Sequence, residues 1–395
     1  MILGIKVSII YPVEPSYIIG LLDGLSKVPD LQIEFLGSDR SEIVRNKYSN
    51  IKFINIRGSQ DPNTPFLNKL LRIFKFYLQL FKYVLLSDTQ IYHLHFPNKF
   101  LFLDFIIINL ILKIRSKKLV YTAHNIDYNL RDKKQNLYKT LIFKIHYKIV
   151  DKIIVHNRHS YRILLKTYPF TYNKVSIIRI GLNIVAAKTN LSKTEARRML
   201  DIKPTAKVLL FFGGINPYKG LEILIQALAN IVKVDRNYLL LIVGSPRDKE
   251  YFNKVLHLIE YLNLKEYVKG FYQFIPDDEI EKYFSASDCC VLPYKYIFQS
   301  GVHVLSYSFG LPIIASDIGS FKEEDIIEGI TGFTFQAGNI LDLTSKIQFY
   351  FNSKLFDNLD NNRDNIINWA KEIYSWDKIG LNTYNIYKEV IEYER

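Results

Sequence analysis

Cysteine is almost missing from this 395-residue chain: there are two, adjacent at Cys289 and Cys290. Two neighbours can form neither a disulfide framework nor a zinc site. Their apolar setting suggests buried, reduced thiols, in keeping with a cytosolic location. No apolar run reaches the ~20 residues that a membrane span needs. The most apolar one, Phe100 to Ile114, is broken by Asp104 and Asn109 and reads as a buried helix. The start, MILGIKVSIIYPVEP, lacks the basic lead and small-residue cleavage site of a signal peptide, so a first strand and a Pro-containing turn are expected there. Low-complexity tracts and fixed-period repeats are also missing, which argues against linker-rich and solenoid architectures. Acidic residues are in deficit, with 39 Asp and Glu against 52 Lys and Arg and a net charge of +13. Such a surface favours anionic partners, whether a phosphorylated substrate or an anionic membrane surface. No RRM, KH or helix-turn-helix signature accompanies the charge, so nucleic acid is not an expected partner.

What the chain does contain is alternation. Hydrophobic residues make up 48% and charged residues 23%, the balance of a globular protein, and the length favours two domains. Short apolar runs recur at Lys6–Tyr11, Gln32–Leu36, Lys52–Ile56, Ile91–His95, Leu119–Ala123, Lys152–His156 and Val175–Arg179, with helical patterns between them. The pattern pauses from Ile180 to Lys193, around Ala186-Ala187-Lys188, and restarts at Lys207–Phe212. Strands alternating with helices predict a parallel sheet covered on both faces, here twice over. The expected fold is α/β, two doubly wound Rossmann-like domains over residues 1–185 and 186–370 with a ligand cleft between them. A closing helix over 371–395 is expected to pack back toward the N-terminal domain.

Two glycine turns carry the chemistry. Gly213-Gly214-Ile215-Asn216-Pro217-Tyr218-Lys219 lies between a strand and a helix. Glycines let the backbone approach a ligand, and a lysine at that point can neutralise a phosphate. Alone this is a common arrangement in α/β proteins. The second turn, Gln299-Ser300-Gly301-Val302, follows the apolar Cys289–Leu292 run and feeds another helix, offering backbone N–H groups to an anion. In a parallel sheet both turns sit at the strands' C-terminal edge, so a diphosphate held between them is the natural reading.

Histidines mark the first half. His124 and Asn125 follow a strand, where open sheets hold ligands. His95 is a further candidate with Asn125, and His156 a weaker one. His93 and His95 are expected on opposite faces of their strand. None of these histidines shows metal spacing with a third ligand. The helix Phe66–Leu86, with Lys69, Arg72, Lys75 and Lys82 among Phe, Leu and Tyr, suits either sheet cover or an anionic bilayer surface.

Taken together, GGINPYKGLEILIQAL, FIPDDEIEKYFSASDCCVLPY, SGVHVLSYSFGLPIIASDIGSFKEEDIIEGITGF and YSWDKIGLNTYNIYKEV resemble the GT-B glycosyltransferases, most closely glycosyltransferase family 4. VYTAHNIDY and VDKIIVHNRHS in the first half match in type and place. The resemblance implies a GT-B fold and a nucleotide-sugar donor bound by the C-terminal domain. It further implies a glycan or polyprenyl-linked acceptor on the N-terminal domain, transfer with retention of configuration, and neither cofactor nor metal. By the same resemblance His124 and Lys219 are catalytic, with His95 and Asn125 as acceptor-side candidates. Gly213, Gly214, Lys219, Ser300, Gly301, Val302 and Glu323 are donor-binding. Many members carry two glutamates eight positions apart where this chain has Phe298 and Ser306, and an arginine where it has Gly214. Lys295 or Arg247 could stand in for that arginine. A nucleotide-sugar epimerase of the same fold, or a non-catalytic relative, are the alternatives.

Overall fold

The computed structural model describes residues 4–10, 15–61, 63–126, 136–186 and 189–392. Tyr11 and the turn after it, Asp127 and Tyr128, Ala187 and Lys188, and Tyr393 lie outside the described residues. The chain divides into two compact units, residues 1–181 with 375–395, and residues 182–374.

The first unit holds seven strands, β1 (Ile5–Ile10), β2 (Leu31–Gly37), β3 (Ile51–Asn55), β4 (Ile91–Leu94), β5 (Lys118–Thr122), β6 (Lys152–Val155) and β7 (Val175–Ile177). They form one parallel sheet in the order β3-β2-β1-β4-β5-β6-β7. The second unit repeats the design with β8 (Lys207–Phe212), β9 (Tyr238–Val243), β10 (Val268–Phe271), β11 (Cys289–Leu292), β12 (Ile313–Ser316) and β13 (Gly332–Phe335). Its order is β10-β9-β8-β11-β12-β13, again parallel. Strands buried on both faces explain why they read as unbroken apolar runs. The strand order reverses between β1 and β4 and between β8 and β11, and open sheets bind ligands beyond the strand ends at such points.

Cys289 and Cys290 are buried in β11, and burial pushes the Cys290 thiol up to about 12, so it behaves as a small hydrophobe. The two polar breaks in the run 100–114 are inside the fold. Asp104 accepts from the Asn98 backbone N–H (2.7 Å) and side-chain amide (3.0 Å), and from the Tyr77 hydroxyl (3.1 Å). Asn109 donates to the Phe105 carbonyl at 2.8 Å. The run contains a π-wound turn, Leu103–Ile107, before its α-helix Ile108–Ile114. Among the described residues no helix is long and apolar enough to cross a membrane.

The helix Trp376–Glu392 belongs to the first unit, where it lies against the helix Pro15–Ser26. Glycines make that approach possible. A Cβ on Gly24 would fall 2.0 Å from the Trp376 carbonyl oxygen, and one on Gly380 2.4 Å from the Gly24 backbone.

Candidate functional site

In the second unit the loops after β8 and β11 flank the point where strand order reverses, and the backbone ties them together. Lys295 N–H donates to the Tyr218 carbonyl at 2.7 Å. Gly220 adopts φ +65°, and a Cβ there would lie 2.1 Å from the Pro293 carbonyl oxygen. Only glycine fits such a left-handed, backbone-to-backbone contact. The strand–turn–helix sequence therefore draws Lys219 inward until it is buried. Its amine donates to the Phe212 carbonyl at 3.5 Å, longer than an ordinary bond, and sits 5.3 Å over the Tyr294 ring. A Cβ on Gly213 (φ +95°) would approach that amine to 2.8 Å and the Val302 side chain to 3.4 Å. Gly213, Lys219 and Val302 thus share one spot. Burial, reinforced by the Arg247 charge, lowers the Lys219 pKa to about 8. A buried cation with one long hydrogen bond has much to gain from an anion.

Ser300 caps the helix Gly301–Ser308, its hydroxyl accepting from the Val302 N–H at 3.2 Å. A Cβ on Gly301 would meet nothing within 4 Å. Loops after β8 and β9 zip together through Ile215 N–H to Ser245 O (2.9 Å) and Arg247 N–H to Ile215 O (3.1 Å). That places the Arg247 side chain 3.1 Å from where a Gly214 Cβ would be. Lys295 instead pairs with Glu222. Phe298 and Ser306 are buried, and the Ser306 hydroxyl donates to the Val302 carbonyl of its own helix at 2.9 Å. Glu323 is exposed in the turn Phe321–Asp325.

The first unit gathers histidines. His95, His124 and His156 stand just past the ends of β4, β5 and β6, three adjacent strands, so a spacing of about 4.8 Å per strand brings their rings together. His156 Nδ1 lies 2.9 Å from the Ile178 carbonyl oxygen, His156 Nε2 3.1 Å from His124 Nδ1, and His124 Nε2 3.2 Å from His95 Nδ1. A carbonyl only accepts, so His156 carries its proton on Nδ1. In a neutral chain each Nε2 must then accept from the next Nδ1–H, which sets the same tautomer in all three rings. Burial holds all three below the usual histidine range, His156 at about 4. Phe96 stacks on His124 at 4.3 Å and Tyr17 meets it edge-on at 4.8 Å. Asn125 is half-buried beside it.

His93 and His95 do not take opposite faces: their rings are 4.2 Å apart. Residues two apart in a strand share a face, and the contrary expectation misapplied that period. His93 is bonded to the Thr122 hydroxyl (2.7 Å) and the Tyr387 hydroxyl (2.6 Å). Tyr17, Trp376 and Tyr387 were not foreseen. The glycines at 20, 24 and 380 were the available signal for the helix contact that delivers them. Among the described residues no group of three or more His, Cys, Asp or Glu could hold a metal ion.

Two family models match successive parts of the chain. "Glycosyltransferase Family 4" covers residues 23–185 and "Glycosyl transferases group 1" covers residues 192–372. The chain belongs to the group 1, family 4 glycosyltransferases. An uncharacterized glycosyltransferase of Methanocaldococcus jannaschii is 28% identical over 227 residues, 56% of this chain and 55% of that protein. The D-inositol 3-phosphate glycosyltransferase of Corynebacterium glutamicum is 26% identical over 46% of this chain and 44% of its own length. The family 4 chain thus spans about half the length of the curated relatives it matches. Among solved structures, sucrose-phosphate synthase from Thermosynechococcus elongatus superposes with TM-score 0.75 at 17% identity, covering 98% of this chain and 99% of that one. Anabaena HepE in complex with UDP-glucose superposes with TM-score 0.72 at 16% identity, covering 98% and 99%. The fold is GT-B.

Proposed function

We propose that this chain is a retaining glycosyltransferase. It moves a sugar from a nucleotide-sugar donor to a glycan or polyprenyl-linked acceptor, as a peripheral enzyme at the cytoplasmic face of a membrane in polysaccharide assembly. The observation that carries the reading is the convergence of both glycine turns of the second unit on the buried Lys219 amine. That amine, the N–H groups at the Ser300–Val302 turn and the neighbouring Arg247 suit a diphosphate whose charge rises as it departs. No metal is needed in this reading, because those groups supply the positive field. HepE, a structural neighbour, binds UDP-glucose, which supports a nucleotide-sugar donor here.

In the proposed reaction the bond between the sugar's anomeric carbon and the β-phosphate oxygen breaks, and a bond to the acceptor hydroxyl oxygen forms on the same face. The hydroxyl proton passes to the departing phosphate oxygen, the base nearest that face. Lys219 stabilises the negative charge left on the diphosphate. His124 is the catalytic candidate of the first unit, its ring held by His95 and His156. Glu323 is a donor-side contact of less defined role.

A thermal-shift panel of UDP-, GDP-, ADP- and CMP-sugars identifies the donor, since a ligand that binds the folded chain raises its melting temperature. Transfer or donor hydrolysis is then compared with Lys219→Ala. Turnover undiminished by that change would refute the role given to the two turns.

A further inference from the structure

The first unit carries an exposed surface that is both apolar and basic. The helix Phe66–Leu86 buries one apolar stripe, Phe76, Tyr77, Leu80 and Val84, and exposes a second. Leu67, Leu70, Leu71, Phe74, Leu78 and Leu85 all face solvent. Their spacing of three and four residues makes an outward row on a helix that already has an inward one. Four cations, Lys69, Arg72, Lys75 and Lys82, accompany the row, and the helix has no acidic residue. A cavity of about 360 Å³ opens at its N-terminal end. Arg57, Gln60, Lys69, Arg72, Asn98 and Lys99 supply its polar lining. Phe66, Ile73 and Phe76 form the apolar part of the wall.

The cavity is built rather than incidental. Arg57 donates to the Asn98 side-chain oxygen at 2.6 Å and lies 4.9 Å over the Phe76 ring. Asn98 is in turn held by the buried Asp104. Arg72 is tied to the Ser59 carbonyl. Pro65 stands at the N-cap and has no side-chain acceptor, so the positive end of a 21-residue helix opens beside these cations. A second hollow, about 490 Å³, begins at the same Lys99 and is lined by Phe100, Leu101, Phe102, Leu103 and Tyr138. Two hollows that share one lysine, the first cationic and the second apolar, match an amphiphile with an anionic head.

We propose that this face docks on an anionic bilayer, the Arg57–Arg72–Lys99 cavity taking a lipid phosphate headgroup while the exposed leucine and phenylalanine row enters the acyl boundary. This gives a physical means for the membrane location proposed for the enzyme, and it rests on that reading. Charge complementarity selects the occupant. A protein partner would need acid spread along the whole row, whereas a bilayer supplies phosphate at one depth and hydrocarbon just below it. The reach of the cationic groups at the helix start and of Phe74, Leu78 and Leu85 further along the row fits a helix lying in the interface plane.

Vesicle flotation tests the proposal without any sugar donor, so it can fail while sugar transfer stands, and the reverse. The full chain should float with phosphatidylcholine vesicles containing 30% phosphatidylglycerol (roughly a physiological anionic fraction) and not with phosphatidylcholine alone. Arg72→Glu with Lys99→Glu should weaken binding at least roughly twenty-fold, since each cation near an anionic surface contributes about fivefold. Phe74→Ser with Leu78→Ser, on exposed positions, should also weaken it, and this second pair decides the matter should the charge reversals misfold. Lys254→Glu with Lys371→Glu, on the second unit, removes the same charge elsewhere and should leave binding within about twofold. Equal loss from that control, or flotation indifferent to lipid charge, overturns the proposal. So does stabilisation by inorganic phosphate alone with no vesicle binding, which would make the cavity a site for a soluble phosphate.

Discussion

The two units solve the same structural problem, a polar cluster beyond the ends of buried parallel strands, in opposite ways. In the first, His95, His124 and His156 bond to one another and end on the Ile178 carbonyl. The rings are held neutral by burial and bonded in series within one sheet. In the second, Lys219 is buried with a 3.5 Å bond and an aromatic face. Among the described residues that amine has no carboxylate partner. The first arrangement bonds ring to ring and fixes geometry. The second is costly until an anion arrives, which is the condition for strong anion binding.

Removing Lys219 should break this contrast most severely. Lys219→Ala is expected to lower transfer by roughly 10²–10³-fold, the usual loss when one preorganised donor to a developing anion is deleted. Lys219→Arg should not restore it, because the amine is already within 2.8 Å of where a Gly213 Cβ would sit and a guanidinium is bulkier. Steady-state transfer with a saturating donor checks both. Retention of most of the activity by Lys219→Ala would mean that the uncompensated charge has no catalytic use.

Backbone geometry comes next. Gly220→Ala forces a side chain into a left-handed site and 2.1 Å from the Pro293 carbonyl. A destabilisation of about 3 kcal/mol is expected, from strain plus displacement of the β11 loop. Gly301→Ala, whose Cβ meets nothing within 4 Å, should stay within about 0.5 kcal/mol. Urea denaturation of both variants separates a glycine that the fold needs from one that leaves room for a ligand. If donor affinity falls in Gly301→Ala while stability does not, that open space is where the ligand lies.

Much of this was legible in the chain. The alternation of strands and helices could be read because strands buried on both faces leave continuous apolar runs. The Lys219 turn could be read because its parts lie within seven residues. The histidine cluster could not, since its bonds join residues 29 and 32 apart and depend on which strands are neighbours. Tyr387, 294 residues from His93, was further still from view. The buried setting of Phe298 and Ser306 was likewise hidden: sequence shows that carboxylates are missing there, while structure shows Ser306 turned back onto its own helix.

The neutral cluster has its own signature in acid. Burial lowers His156 to about 4 and His93 to about 3, whereas in an unfolded chain each titrates near 6.5. Between those limits the unfolded chain binds more protons, so stability is complete above about pH 6.5 and falls as the pH drops toward 4. Each such histidine contributes a slope of about 1.4 kcal/mol per pH unit, up to about 3 kcal/mol for His156. Melting temperatures from pH 7.5 to 4.5 should show this decline, and His156→Asn should flatten it by one proton. Nitrogen NMR of the imidazoles at pH 7 should find His95, His124 and His156 protonated at Nδ1. An Nε2–H ring among them would break the directional chain.

The lysine titrates on the other side of neutrality and with the smaller effect. Free Lys219, lowered to about 8, is mostly charged at pH 7 and loses its proton as the pH passes 8, far below the 10.5 of an ordinary lysine. A bound diphosphate favours the charged form and raises that pKa, so binding must take up a proton wherever the free amine is neutral. Affinity for the nucleoside diphosphate should therefore be level up to about pH 7.5 and fall by no more than tenfold per unit above 8. Calorimetry in two buffers of different ionisation enthalpy reads that uptake directly. Proton-neutral binding at pH 9, or an affinity level to pH 10, would mean that the anion never meets the amine. The second unit would then be as electrostatically closed as the first.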